Sequence, residues 1–402
     1  MSEREPQRAQ LEHLARRSIE IITANQAPTG AYLASPNFPV YRYSWFRDGA
    51  FIADAMSRAG EITSAEAFFS WCAGVLEARG ERIAALIERR LAGAPIDTSE
   101  FLHARYTVDG RETGEEWTDF QLDGYGAWLW ALDEHRQRHR RSIEPFVAGA
   151  ALSAAYVAAF RDHPSYDWWE ENPDHRHTST LAAIHAGLQA AASWPELSTD
   201  LRSTAGKGAA ELAELVRADA ARLGRLPKWL GGDAVDASLI AVATPFAMLP
   251  ADNPLVAATI EAVEERLVHG GGVHRYLGDT YYGGGEWLLL AALLGWHYAA
   301  VGRTEEAWAQ LHWVAAHATP DGELPEQVDD HLLAPDRQAE WLARWGPVAT
   351  PLLWSHAMYL TLAVELGVGA GTPGRVKGVG VSGVAAPGVA APATGAPARP
   401  AP

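Results

Sequence analysis

Residues 285–317 read GEWLLLAALLGWHYAAVGRTEEAWAQLHWVAAH. Apolar side chains recur every three or four positions on both sides of Gly302-Arg303, the spacing of helix turns rather than of strands. The pattern predicts two helices, over 285–301 and 304–317, folded back on each other by a link that leaves room only for a tight hairpin. The same spacing outward along the chain predicts helices over 8–24, 47–59, 63–90, 119–137, 143–162, 177–193, 198–222, 236–247, 254–268 and 351–366, about twelve in all. Links after the even-numbered helices are tight, as at Gly60-Glu61-Ile62 and Trp194-Pro195-Glu196. Links after the odd-numbered ones run to roughly a dozen to thirty residues, and loops that long inside a compact domain are usually functional. Six hairpins with their long loops at one end describe an all-α, (α/α)6 toroid over 1–367, in which each long loop leads into the N-terminus of an inner helix. Residues 368–402 change to Gly, Ala, Pro and Val without an aromatic residue and are expected to form a disordered tail.

The composition narrows the ligand. Lys and Arg number 33 against 50 Asp and Glu, a net charge of −17, which would repel phosphate backbones and anionic lipids. Nucleic acid and membrane partners are therefore not expected, whereas a neutral small molecule is indifferent to that field. The single cysteine, Cys72, admits no internal disulfide, the first residues carry acids instead of an apolar signal core, and no apolar run reaches membrane-spanning length. These features are those of a cytoplasmic chain. Sixteen tryptophans stand out. A large helical core needs big side chains, but indoles also stack on the apolar faces of sugar rings, and their positions decide between the two.

Those positions favour the sugar. The long loops hold Tyr41-Arg42-Tyr43-Ser44-Trp45-Phe46-Arg47-Asp48, then Glu116-Trp117-Thr118-Asp119-Phe120-Gln121-Leu122-Asp123, then Asp167-Trp168-Trp169-Glu170-Glu171. Further on come Lys228-Trp229, Asp236-Ala237-Ser238, Arg275-Tyr276, Pro325-Glu326-Gln327 and Trp354-Ser355-His356. Singly, each has a plain reading: Arg47-Asp48, Asp123 and Asp236 suit helix starts, and Asp174-His175-Arg176-His177 lacks the third ligand a metal needs. Gathered on one rim, however, Trp, carboxylate, Arg and Gln supply stacking faces and paired hydrogen bonds for vicinal hydroxyls. Trp45, Arg47, Asp48, Trp117, Gln121, Asp123, Trp169, Glu171, Trp229, Arg275, Tyr276 and Trp354 are the candidate sugar contacts. Glycoside hydrolysis needs one protonated and one ionised carboxyl group on opposite faces of the sugar. Glu170, directly after Trp168 and Trp169 and so expected against an apolar wall, suits the general acid, and Glu326, on another loop, suits the general base. No metal or other cofactor is called for, and no nucleophile elbow or phosphate loop competes.

The motifs SWFRD, DFQLDGYG, WWEEN, RYLGDTYYGGGEWLL, LPEQ and WSHA, taken together, resemble glycoside hydrolase family 15, the glucoamylases and their bacterial relatives. The resemblance covers nearly the whole chain before the tail. It implies the (α/α)6 fold, metal-free hydrolysis with inversion, Glu170 as acid and Glu326 as base. By the same resemblance Trp45, Arg47 and Asp48 grip the non-reducing-end glucose, Arg275 and Glu171 hold hydroxyls, and Tyr41 sits beside the base and the attacking water. The carboxyl groups of an inverting pair stand about 6.5–9.5 Å apart. The β-sandwich and starch-binding domain that many relatives carry are missing, so short α-gluco-oligosaccharides are the expected substrates, releasing β-glucose. Whether the linkage is α-1,6, α-1,4 or the α,α-1,1 of trehalose stays open, as does a catalytically inactive glucan-binding relative.

Overall fold

The computed structural model describes residues 4–113, 117 and 120–369, with the side chains from residue 7 onward. Its α-helices are α1 (Arg4–Ala24), α2 (Phe46–Arg58), α3 (Ile62–Glu77), α4 (Gly80–Leu91), α5 (Asp123–His139), α6 (Val147–Phe160) and α7 (Thr178–Ser193). They continue with α8 (Thr199–Leu223), α9 (Pro254–Leu267), α10 (Leu288–Ala300), α11 (Thr304–Ala316), α12 (Gln338–Trp345) and α13 (Leu353–Glu365). Local chemistry sets several boundaries. The Ser198 side chain accepts the Leu201 N–H at the start of α8, and Gly224, at φ 70°, ends it. Asn253 caps α9 through the Leu255 N–H, with Pro254 in the first helical position, where no N–H is needed.

The helices close into two concentric rings. Around the inner ring, α2 packs on α5, α5 on α7, α7 on a 3-10 segment (Ala237–Val242), that segment on α10, α10 on α13, and α13 back on α2. Burial separates the rings. Every residue of α2 is buried, as are Leu288–Tyr298 of α10 and Leu353–Val364 of α13, as helices surrounded on all sides require. Outer helix α8 buries only Ala205, Gly208, Ala209, Leu212, Val216 and Ala220, a single stripe at three- and four-residue spacing. The fold is the expected (α/α)6 toroid.

Three departures have physical causes. The helix expected over 63–90 breaks at Ala78-Arg79, where Gly80 opens α4 and Arg79 turns its guanidinium to Glu112 and to the Val75 and Gly110 carbonyls. The helix expected over 236–247 is a 3-10 segment ending at Val242, because Pro245 has no N–H to continue an α-helical ladder. Helix α12 lies inside what reads as a loop. Most of the tail expected from 368 lies outside the described residues, but Val368 is buried and its N–H bonds to the Ala363 carbonyl, so packing reaches at least that far.

Short strands tie the rim. Strand β1 (Ser44–Trp45) runs directly into α2 and pairs with β2 (Arg105–Tyr106). Strands β3 (Val268–His269) and β4 (Gly272–Val273) form a hairpin, and β5 (Glu286–Trp287), just before α10, pairs with β6 (Gln327–Val328). The last pair sets Trp287 opposite Gln327, next to Glu326.

Inner helices α5 and α7 approach through two glycines. A Cβ at Gly126 would stand 2.5 Å from the Ala183 carbonyl oxygen, and one at Gly187 would stand 2.6 Å from that of Gly126. Backbone atoms cannot swing aside, so the upper end of the overpacking cost applies, about 3 kcal/mol. Alanine recovers roughly 1 kcal/mol of helix propensity. Gly126→Ala is thus expected to destabilise the protein by about 2 kcal/mol, whereas Gly74→Ala, with open space around it, should be neutral or stabilising. Thermal melts of the two variants check this. Equal stability would mean that α5 and α7 do not meet at these glycines.

Candidate active site

A cavity of about 600 Å³ opens among the long loops, above the N-termini of the inner helices. Its first wall follows from the β1–α2 junction. Trp45 ends the strand, and Arg47 and Asp48 fall in the first turn of α2, where an acid is favoured by the helix dipole. Arg47 donates one N–H group to Gln121 Oε1 at 2.5 Å and to Asp123 Oδ2 at 3.0 Å. Gln121 Nε2 then donates to Glu170 Oε1 at 3.1 Å, and Trp45 Nε1 donates to the same oxygen at 2.7 Å. Two donors fill Oε1, which leaves Oε2 as the atom on which Glu170 can carry a transferable proton.

Glu170 sits at φ 63°, the left-handed region that a side-chain-bearing residue occupies only when its surroundings enforce it. Asp167 enforces it here: its Oδ1 accepts the N–H groups of Trp169 and Glu171, each at 2.9 Å. The two tryptophans that precede Glu170 in sequence turn into the barrel. Trp168 packs on Phe51 and Trp354, and Trp169 aims its indole N–H at Asp236. Both rings still face the cavity.

Another loop brings Glu326, 1% exposed, to the same cavity. Its backbone is fixed by bonds from its N–H to the Ala349 carbonyl and from the Leu288 N–H to its own carbonyl. Burial pushes its carboxyl up to about 7, although the Tyr41 hydroxyl, Arg275 and the Tyr281 hydroxyl all pull the other way. Burial and the charge of Glu326 hold the Tyr41 phenol well above its ordinary value, so it stays protonated. Its oxygen lies 3.0 Å from that of Tyr281. Asp48, whose Oδ2 lies 3.7 Å from Arg47 Nε without a hydrogen bond, is likewise pushed up to about 7 by burial, which outweighs the pull of Arg47.

Arg275 forks onto Asp279, Nε to Oδ2 at 2.7 Å and a terminal N–H to Oδ1 at 2.5 Å. Its guanidinium carbon lies 5.1 to 5.3 Å from the ring centres of Trp287, Tyr281 and Trp169. Beside it, Glu171 accepts the Tyr276 hydroxyl at 2.5 Å, and burial raises its carboxyl pKa despite Arg275.

Of the residues singled out from the sequence, Tyr41, Trp45, Arg47, Asp48, Trp117, Trp169, Glu170, Glu171, Arg275, Glu326 and Trp354 line the cavity. Gln121, Asp123, Trp229 and Tyr276 are not among its lining residues. The first two support Arg47 and Glu170 from behind, Tyr276 supports Glu171, and Trp229 stacks on His175 with ring centres 4.3 Å apart. Sequence reasoning missed Tyr281, Trp287 and the whole of α12, which brings Trp341, Arg344 and Trp345 to the cavity mouth. Trp341 and Trp345 at helical spacing in QAEWLARW were the available signal. Among the described residues no group of three or more His, Cys, Asp or Glu is placed to hold a metal ion.

The family model Glycosyl hydrolases family 15 matches residues 8–312. Isomaltose glucohydrolase of Kribbella flavida is 48% identical over 362 residues, 90% of this chain and 94% of that protein, a span that takes in both Glu170 and Glu326. The solved structure of a glycosidase in complex with glucose superposes with a TM-score of 0.88 at 46% identity, covering 92% of this chain and 99% of that one. Trehalase of Mycolicibacterium smegmatis is 30% identical over 289 residues, 66% of this chain and 42% of that protein. A closed toroid, an indole-walled cavity lined by carboxyl groups from separate loops, and a family match over most of its length lead to one statement: the chain belongs to glycosyl hydrolases family 15 and is a glycoside hydrolase.

Proposed function

We propose that the chain is an exo-acting, inverting α-glucosidase that releases β-glucose from short α-gluco-oligosaccharides, with isomaltose the preferred disaccharide. The observation that carries this reading is that Glu170 and Glu326, 156 positions apart in the chain, line one cavity. In the proposed reaction Glu170 delivers the proton on Oε2 to the glycosidic oxygen as the bond to the anomeric carbon breaks. Glu326 takes a proton from a water that attacks the opposite face, with Tyr41 beside it. Trp45, Arg47, Asp48, Glu171 and Arg275 hold the terminal glucose. The high identity to an isomaltose glucohydrolase supports the α-1,6 linkage over trehalose. No helix among the described residues is long and apolar enough to cross a membrane. The single cysteine, buried, and the net charge of −17 favour work in the cytoplasm on a neutral substrate, away from nucleic acid.

Rates on isomaltose, maltose and trehalose, with the first-formed anomer followed by NMR, test the assignment. Isomaltose is expected to be fastest and β-glucose to appear first. A preference for trehalose, or α-glucose as first product, would overturn it.

The two carboxyl groups are told apart by leaving group. Glu170→Gln keeps its shape without a proton to give, so turnover of isomaltose should fall about 10²–10⁴-fold. It should fall far less on α-glucosyl fluoride, whose leaving group needs little acid. Glu326→Gln should suppress hydrolysis of both. Equal losses for Glu170→Gln on the two substrates would remove it from the acid's role.

The pH profile follows from the raised pKa of Glu326. Below about 7 the free enzyme carries that carboxyl protonated and has no base for water, so kcat/KM should fall about tenfold per pH unit as pH drops further. Asp48, raised to about the same value, is expected to steepen the limb. A kcat/KM that stays flat down to about pH 5 would show that neither group's ionisation limits the reaction.

A further inference from the structure

The loop Asp167–Glu171 carries the proposed general acid, and a buried cation lies beneath it. Lys228, 5% exposed, has its ammonium 3.2 Å from Asp167 Oδ2 and 3.0 Å from Asp236 Oδ2, and 3.9 Å from the centre of the Tyr276 ring. It does not line the cavity and touches no position that a sugar would occupy. Its backbone is pinned at the rim, its N–H to the Ala234 carbonyl and its carbonyl to the Thr178 N–H at the start of α7.

Each carboxylate that it holds positions the acid's loop by a separate route. Asp167 uses its other oxygen to bind the N–H groups of Trp169 and Glu171, and its carbonyl accepts the N–H of Glu170 at 3.0 Å. Asp236 caps the inner 3-10 segment through the Ser238 N–H and accepts the indole N–H of Trp169 at 2.9 Å. Two carboxylates drawn this close in a buried site repel one another unless a cation stands between them. Burial alone would pull the Lys228 pKa down, yet Asp236 and Asp167 hold it above its ordinary value, so the ammonium is charged. The left-handed backbone of Glu170 is the strained element that this arrangement keeps in place.

We propose that Lys228 is a positioning residue for the general acid: by tying Asp167 to Asp236 it fixes the loop that presents Glu170 to the glycosidic oxygen. It acts through that loop and takes no proton itself. The proposal rests on the role of Glu170 given above.

Loss of a merely structural residue lowers activity on every substrate alike, whereas misplacing an acid matters only where the leaving group needs a proton. Lys228→Met is therefore measured on isomaltose and on α-glucosyl fluoride, with Glu170→Gln alongside. The ratio of the two kcat/KM values does not depend on the fraction of folded enzyme. The expected result is a fall of about a hundredfold on isomaltose with a far smaller fall on the fluoride. Should Lys228→Met fail to fold, Asp167→Asn, which keeps an acceptor at Oδ1 but removes the charge that Lys228 holds, takes the same measurement with the same expectation. Equal losses on both substrates, with selectivity intact in Glu170→Gln, would overturn the role of Lys228 alone. Equal losses in Glu170→Gln as well would overturn the acid assignment and this proposal together.

Discussion

The bond from Arg47 to Gln121 fixes the chemistry of the cavity. A guanidinium can only donate, so Gln121 must turn its carbonyl oxygen to Arg47, and its amide nitrogen is then left facing Glu170. Reversing the amide would set NH2 against N–H on one side and oxygen against oxygen on the other. Once that orientation is set, Glu170 Oε1 receives donors from both Gln121 and Trp45, and the transferable proton belongs on Oε2. The same guanidinium joins the first turn of α2 to the first residue of α5 through Asp123. One buried cation thus registers two neighbouring inner helices and selects which oxygen of Glu170, the proposed acid, is left to carry a proton.

Charge in the cavity is unbalanced in a useful direction. Asp48, Glu170, Glu171 and Glu326 face it, while Arg47 and Arg275 are each already engaged by an aspartate, Asp123 and Asp279, and Arg344 lies out at the mouth beside Trp341 and Trp345. Burial leaves Asp48 and Glu326 with pKa values near 7, since removing water costs a carboxylate more than its neighbours return. A carboxylate so poorly solvated is a stronger base toward water. An acidic cavity also favours a reaction in which positive charge develops on the sugar ring. The features that make the empty site expensive to ionise become complementary once that charge appears.

The helical hairpins were legible because each inner and outer helix must keep its apolar period, as 285–317 does. Failures fell where another constraint overrode the period: Pro245 in the 3-10 segment, the Arg79-Gly80 break, and α12, whose eight residues are too short to stand out inside a long loop. For the site, residue type and loop position were enough to bring Glu170, Glu326, Trp45 and Arg275 to one cavity. They were not enough to tell a residue that lines it from one that holds a liner. Gln121 and Asp123 belong to the same motif as the wall they support, and only the direction of a side chain separates support from contact. The tryptophans next to Glu170 show the same limit: adjacency in sequence suggested an apolar wall, whereas its carboxyl bonds to an indole and an amide from other loops.

The proposed attack at a chain end agrees with how the ring is closed below the cavity. Trp168 and Trp354 form part of the floor, and Phe51, Trp130 and Phe246 pack beneath them at ring separations of 5.2 to 6.5 Å. Lower still, Arg58 bonds to Asp54 at 2.6 Å and to Glu365, Arg138 bonds to Asp54 at 2.8 Å, and Arg58 lies 4.6 Å from the ring centre of Trp296. These residues come from α2, α5, α10 and α13, so the far end of the toroid is plugged by rings and ion pairs from four inner helices. A glucan cannot thread through such a barrel. The entrance is where variation is possible, because α12 and Trp117 border the cavity without belonging to the ring. The closed ring thus fits the proposed attack at a terminus, and Trp341, Arg344 and Trp345, which line the cavity from outside the ring, are the residues free to differ without disturbing it.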